Sequence, residues 1–119
     1  MATDFRSGRD FPRRGREVYG GFTWLLRVFD KARAARNGTI HDYIYPCPLD
    51  KGVFQRWGIT SADFDRALAT CDTDEKILAW VKERVTDATR EETNQWVLVE
   101  KKNSLDKQDS EEGVLSSRA

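Results

Sequence analysis

A single histidine and two cysteines bound the nucleophilic chemistry open to this 119-residue chain. His41 stands six positions before Cys47, with Asp42 adjacent to it. A Cys–His pair is the minimal arrangement that yields an activated thiolate, which makes Cys47 and His41 the catalytic candidates. Cys47 also precedes a helix expected to begin near Lys51, whose positive end favours a thiolate. The competing reading is that free cysteine packs as a small hydrophobe, and Cys71, at an expected helix end, is assigned to that class. His41, Cys47 and Cys71 lack the paired spacing that zinc sites use, so no metal site is expected.

A second group could hold an anion. Arg27, Asp30, Lys31 and Arg33 share one side of a single expected helix, with Arg27–Lys31 and Asp30–Arg33 about one turn apart. Forked donors of this kind take a carboxylate or a phosphate. The alternative is a solvated face in which Asp30 pairs with its own neighbours. Tyr43 and Tyr45 flank a proline-rich loop and either wall a pocket or stack on the core with wet hydroxyls. Arg6, Arg9, Arg13, Arg14 and Arg16, with Phe5 and Phe11 available to stack, form a basic N-terminal stretch that could touch nucleic acid. The chain is neutral overall and has no reading motif, so nucleic acid is not the expected partner. No P-loop, dinucleotide glycine fingerprint, HExxH or GxSxG is present, and no cofactor is expected.

The elements that must position these residues read as helices. Residues 1–21 close on Gly20-Gly21 and read as an extended basic arm. Trp24 to Asn37 carries Leu25, Val28, Phe29, Ala32 and Ala35 at helical spacing, with Gly38 as the stop. Thr39 could cap one helical turn through Tyr43. Pro46 and Pro48 then enforce a loop, and Asp50 is the expected N-cap of a short helix through Trp57. Thr60 with Asp63, and Asp72 with Glu75, read as capping boxes. They open helices burying Phe64, Ala67 and Leu68 in one case, and Ile77, Leu78, Val81 and Val85 in the other. From Thr86 or Asp87 a helix is expected to about Lys102, turning Thr93, Trp96 and Val97 inward, although Trp96–Val99 also suits a strand. From Asn103 to Ala119 the chain is polar and reads as a disordered tail.

Composition sets the frame. Apolar residues make up 39 % and charged residues 34 % of the chain, which suits one small core under a charged surface. Residues 1–36 carry nine basic and four acidic residues, so the remaining eleven basic and sixteen acidic residues balance them. That asymmetry implies an anionic partner for the N-terminal third, or mutual neutralisation within the fold. Two unpaired cysteines, no apolar N-terminal segment and no apolar run of about 20 residues make the cytoplasm the expected location and exclude a membrane span.

The pieces Pro12-Arg13, Gly20-Gly21, Trp24-Leu25, Arg27, Asp30-Lys31-Ala32-Arg33-Ala34, Gly38-Thr39, Tyr43, Tyr45-Pro46-Cys47-Pro48-Leu49-Asp50 and Gly58-Ile59 occur together. This combination resembles a family of small bacterial proteins catalogued only as a domain of unknown function. The likeness covers about residues 12–85. Leu26 stands where that family often has proline, and the stretch after Asn103 looks particular to this chain. The resemblance implies no activity. Its motif residues are polar or proline-locked, which suits a site better than a core.

The expected molecule is therefore all-α: a compact bundle of four or five short helices over 22–102, with an arm at 1–21 and a tail at 103–119. The leading functional expectation is a binding module for an anionic small ligand or a protein partner. Arg27, Asp30, Lys31 and Arg33 would face Tyr43, Tyr45 and Asp50 across a water-accessible gap. Thiol-dependent catalysis or redox sensing at Cys47 is the second reading, and weak nucleic-acid binding through the arm the third.

Overall fold

In the computed structural model, which describes residues 4–113, six α-helices follow the non-helical arm, and the described residues form no strand beyond an isolated Tyr19–Phe22 bridge. The helices are α1 (Leu25–Asn37), α2 (Pro48–Trp57), α3 (Ser61–Ala67), α4 (Asp74–Lys82), α5 (Asp87–Gln95) and α6 (Lys102–Glu111), with a π-helical turn at Trp96–Glu100 joining the last two. The class matches expectation, and the helix count exceeds it. None of these helices is long and apolar enough to cross a membrane.

Local chemistry explains most boundaries. Gly38 ends α1 in the left-handed region that its missing Cβ allows. Thr60 and Asp63 form the reciprocal box that opens α3. Helix α4 is capped by Thr73, whose hydroxyl accepts the Lys76 N–H, while Asp72 pairs with the Lys76 ammonium instead of capping. Thr86 caps α5 through the Thr89 N–H. Two expectations fail near the prolines. Thr39–Tyr43 is a tight turn, with the Tyr43 N–H on the Ile40 carbonyl, and not a helical turn. Helix α2 begins at Pro48, ahead of the expected start, because proline has no N–H to satisfy in the first turn. Its N-cap is Cys47: the Asp50 N–H donates to Cys47 Sγ (3.4 Å), and the Cys47 N–H donates to Asp50 Oδ2 (3.0 Å).

The string Trp96–Val99 settles as neither strand nor regular α-helix. The Lys101 N–H reaches back five residues to the Trp96 carbonyl, so the turn is widened by one residue. That insertion changes the helical phase: Val97 faces the core while Leu98 and Val99 face out, and Leu105 on α6 comes inward. The expected tail is thus helical as far as Glu111, because Leu105 (1 % exposed) and Asp109 anchor α6 against the arm. The rest of that expected tail, residues 114–119, lies outside the described residues.

The core gathers Phe22, Trp24, Leu25, Val28 and Phe29 with Val53 and Phe54 of α2, Phe64 of α3, Ile77 and Val81 of α4, Val97 and Leu105. The arm lies close against it. Trp24 donates its backbone N–H to the Gly15 carbonyl, and a Cβ at Gly15 would stand 2.4 Å from the Trp24 ring. Phe5 is buried and bonds through its N–H to Thr39. Helix α1 is buried along most of its first two turns, including Arg27, Asp30 and Lys31, while Arg36 near its end is exposed.

Candidate functional site

Three ionic clusters surround α1, and each draws a partner from distant sequence. Asp30, fully buried, accepts from the Arg13 backbone N–H (2.8 Å), Arg13 Nε (3.0 Å) and Nη2 (2.8 Å), and from Arg33 Nη2 (2.9 Å). The same Arg13 fork also holds Asp74 at 2.8 and 2.9 Å. Lys31 donates from Nζ to Asp50 Oδ2 at 2.7 Å, and Asp50 Oδ1 accepts the Trp24 indole N–H at 2.8 Å. Arg27 donates from Nη1 and Nη2 to the two oxygens of Glu112 at 3.1 and 2.7 Å, and the Tyr43 hydroxyl donates to the same carboxylate at 2.8 Å. The DKARA and YPCPLD motifs thus meet at one buried ion pair, Lys31–Asp50.

Part of the charged side of α1 still opens onto space. A cavity of about 460 Å³ lies between the arm, the His41–Ile44 turn and α6, with Arg27 and Lys31 on its wall. Phe5, Phe11 and Tyr43 supply aromatic surface there, and Asp10, Gln108 and Glu111 polar surface. Cys47 borders this cavity and a neighbouring one of about 440 Å³ next to Trp96 and Lys107. The proline-stiffened loop does return to the charged side of α1. It meets Lys31 at Asp50, and further back Tyr43 lies over Arg27, its ring 5.8 Å from the guanidinium carbon.

The expected site residues divide accordingly. Arg27, Lys31, His41, Tyr43 and Cys47 border one cavity. Asp30 and Arg33 belong to the Arg13 cluster and do not reach it. Asp50 is fully buried behind Lys31 and acts as its anchor. Tyr45 borders a different hollow beside Pro46, where its hydroxyl donates to Asp65 at 2.7 Å. His41 and Cys47 share the cavity but no hydrogen bond joins them among the described residues; the carboxylate near His41 is Asp42, at 3.4 Å. No group of three or more His, Cys, Asp or Glu suited to a metal ion occurs among the described residues. Glu112 was not legible as a site residue, because it lies in the stretch read as a tail. The available signal was the acidic excess after residue 37, which offers partners to the basic arm.

That neutralisation accounts for the arm. Arg14 pairs with Asp109 at 2.7 Å, and Arg16 pairs with Asp106 and with Asp109 at 3.0 Å. With Arg13 on Asp30 and Arg6 on Asp4 also engaged, four of the five arm arginines serve carboxylates of their own chain.

Electrostatics follow from the same contacts. Burial first, and then the hydrogen bond to Glu112, push the Tyr43 phenol well above its ordinary range, so it remains a donor at physiological pH. The hydrogen bonds from Arg13 hold Asp74 below its ordinary 3.8. Burial works to raise Asp109, but Arg14 and then Arg16 outweigh it and the net shift is downward. A carboxylate whose folded pKa lies below its unfolded one stabilises fully above the unfolded value and loses that contribution as pH falls through the folded one. Urea titrations are therefore expected to give a nearly constant midpoint from about pH 7 to 5 and a falling one below about pH 4. A midpoint that rose on acidification would contradict this assignment of the arm's partners.

The chain belongs to the family described as domain of unknown function DUF5069, whose model matches residues 9–119. The match reaches past Asn103, so the stretch that looked particular to this chain is part of the family's span. No curated protein matches the chain.

Proposed function

We propose that this member of a family without a described function is a binding module for a small anionic ligand, received in the cavity beside Arg27 and Lys31. The observation that carries this reading is the state of Lys31. Its side chain is 4 % exposed, it reaches the cavity wall, and its hydrogen bond among the described residues goes to Asp50 alone. An ammonium has three N–H donors, and a buried donor without an acceptor costs about 1–3 kcal/mol. A ligand oxygen at the cavity floor would satisfy what Asp50 leaves open. Phe5, Phe11 and Tyr43 would cover an apolar part of the same ligand.

A thermal-shift screen of anionic metabolites tests the reading. A ligand at 100 times its Kd is expected to add about 2.7 kcal/mol. The paired substitution Lys31→Met with Asp50→Asn removes the ammonium without stranding a buried carboxylate, and should fold but lose the shift. No shift across a broad library, or the same shift in the double variant, would count against the proposal.

Thiol chemistry at Cys47 is the second reading, favoured by its place on two cavities and at the N-terminus of α2. Iodoacetamide separates the two. Rapid native alkylation that blocks no ligand supports the thiol, whereas a Cys47 left unmodified in the folded protein removes it.

A further inference from the structure

Arg27 and Tyr43 present a preformed receptor for a carboxylate, and the structure shows it filled from within. The two terminal nitrogens of Arg27 each meet a separate oxygen of Glu112, and the Tyr43 hydroxyl adds a third bond to one of them. Such a fork can hold either a carboxylate or a phosphate, and here the group it holds together with the Tyr43 hydroxyl is a carboxylate. Besides Glu112, Arg27 meets the Arg13 carbonyl (3.4 Å) and lies near the Trp24 and Tyr43 rings, which hold the fork in place.

Glu112, its side chain 6 % exposed, is held there by polar bonds rather than by apolar packing of its own turn. Glu112 lies just past the last residue of α6, and Gly113 follows in a left-handed conformation. Beyond Leu105 and Asp109, which anchor the helix, the residues from Ser110 to Gly113 include no apolar side chain. Glu111 and Glu112 also place two negative charges at the end of a helix whose dipole disfavours them. Helix stability therefore does not explain Glu112, and its bonds to Arg27 and Tyr43 do.

We propose that Glu112 is the resident internal ligand of this seat, and that a small carboxylate ligand takes the seat by displacing Glu112 with the last turn of α6. This rests on the cavity being the binding site, and adds both the ligand's chemical class and a moving part. Binding then reads out as release of the last turn of α6 from α1. The apparent affinity in the intact protein is lowered by the fraction of time the seat is closed.

The test uses succinate and inorganic phosphate on the full chain and on Glu112→Gln. Without the competing charge, the variant is expected to bind succinate about tenfold or more tightly than the wild type, with a smaller gain for phosphate. Unchanged succinate affinity would overturn the proposal. Hydrogen exchange on the wild type keeps the test independent of whether the variant folds: succinate should speed exchange at 108–113 and slow it at 27–31. Protection at 108–113 on binding would equally overturn it. If Glu112→Gln has no effect while the Lys31→Met, Asp50→Asn double variant loses phosphate binding, the cavity reading stands and the displacement fails. If neither substitution alters any binding, both fail.

Discussion

Asp50→Ala is expected to destabilise the protein by about 3–5 kcal/mol, the cost of removing one partner from a buried ion pair. Asp50 is fully buried and receives three donors: the Lys31 ammonium, the Trp24 indole N–H and the Cys47 backbone N–H. Its removal leaves a buried cation without its anion, strands an indole N–H, and breaks the capping box of α2. In a domain of this size such a loss corresponds to a fall in Tm on the order of 10–20 °C. The double substitution Lys31→Met, Asp50→Asn is expected to recover most of that loss, because a buried pair is often replaceable when both charges go together. Thermal denaturation followed by circular dichroism measures both. A single variant melting within about 1 °C of the wild type would show that Asp50 does not carry the junction of α1 with α2.

Ending the chain after Lys102 is expected to abolish cooperative unfolding. Composition marks residues 103–119 as dispensable, and the structure gives the opposite answer for 103–113. The cut removes Leu105 from the core, where truncating a buried leucine alone costs about 2–5 kcal/mol. It also removes Asp109 from Arg14 and Arg16, and Glu112 from the buried Arg27. An uncompensated buried arginine adds a penalty of similar size, and together these approach the whole stability of a typical domain, about 5–15 kcal/mol. Leu105→Ala in the full chain isolates the apolar part and should melt cooperatively at a lower temperature. A truncated chain with a wild-type melting curve would restore the tail reading.

The candidate site was legible in pieces. The spacing of Arg27 and Lys31, and the return of the proline loop beside them, could be read directly, and five of the expected residues do border one cavity. Asp30, Arg33 and Asp50 share the same residue types, yet they are internal anchors. Arg33 pairs with Asp30 one turn away on the same helix, but the partners that bury Asp30 and Asp50 come from elsewhere, Arg13 of the arm and Lys31 of α1. Asp42, by contrast, is an acid of the same loop and stays in solvent.

What the amino-acid order determined by itself was the set of local decisions. The starts at Thr60 and Thr86 depend on a hydroxyl within three residues of the backbone it caps. The stops at Gly38 and Gly58 depend on a missing Cβ. The buried stripe of α1 depends on its own periodicity. Interactions that close within one helical turn are written in neighbouring letters. The tertiary structure alone decided that the charged side of α1 is interior, that Arg13, Arg14 and Arg16 of the arm pair within the fold, and that the polar C-terminal stretch is helical as far as Glu111. Those outcomes rest on ion pairs spanning 17 to 95 residues, from Arg13–Asp30 and Lys31–Asp50 to Arg13–Asp74, Arg27–Glu112 and Arg14–Asp109. A charge reads as solvated until the fold brings its counter-charge near enough to offset desolvation, and that proximity is a property of packing.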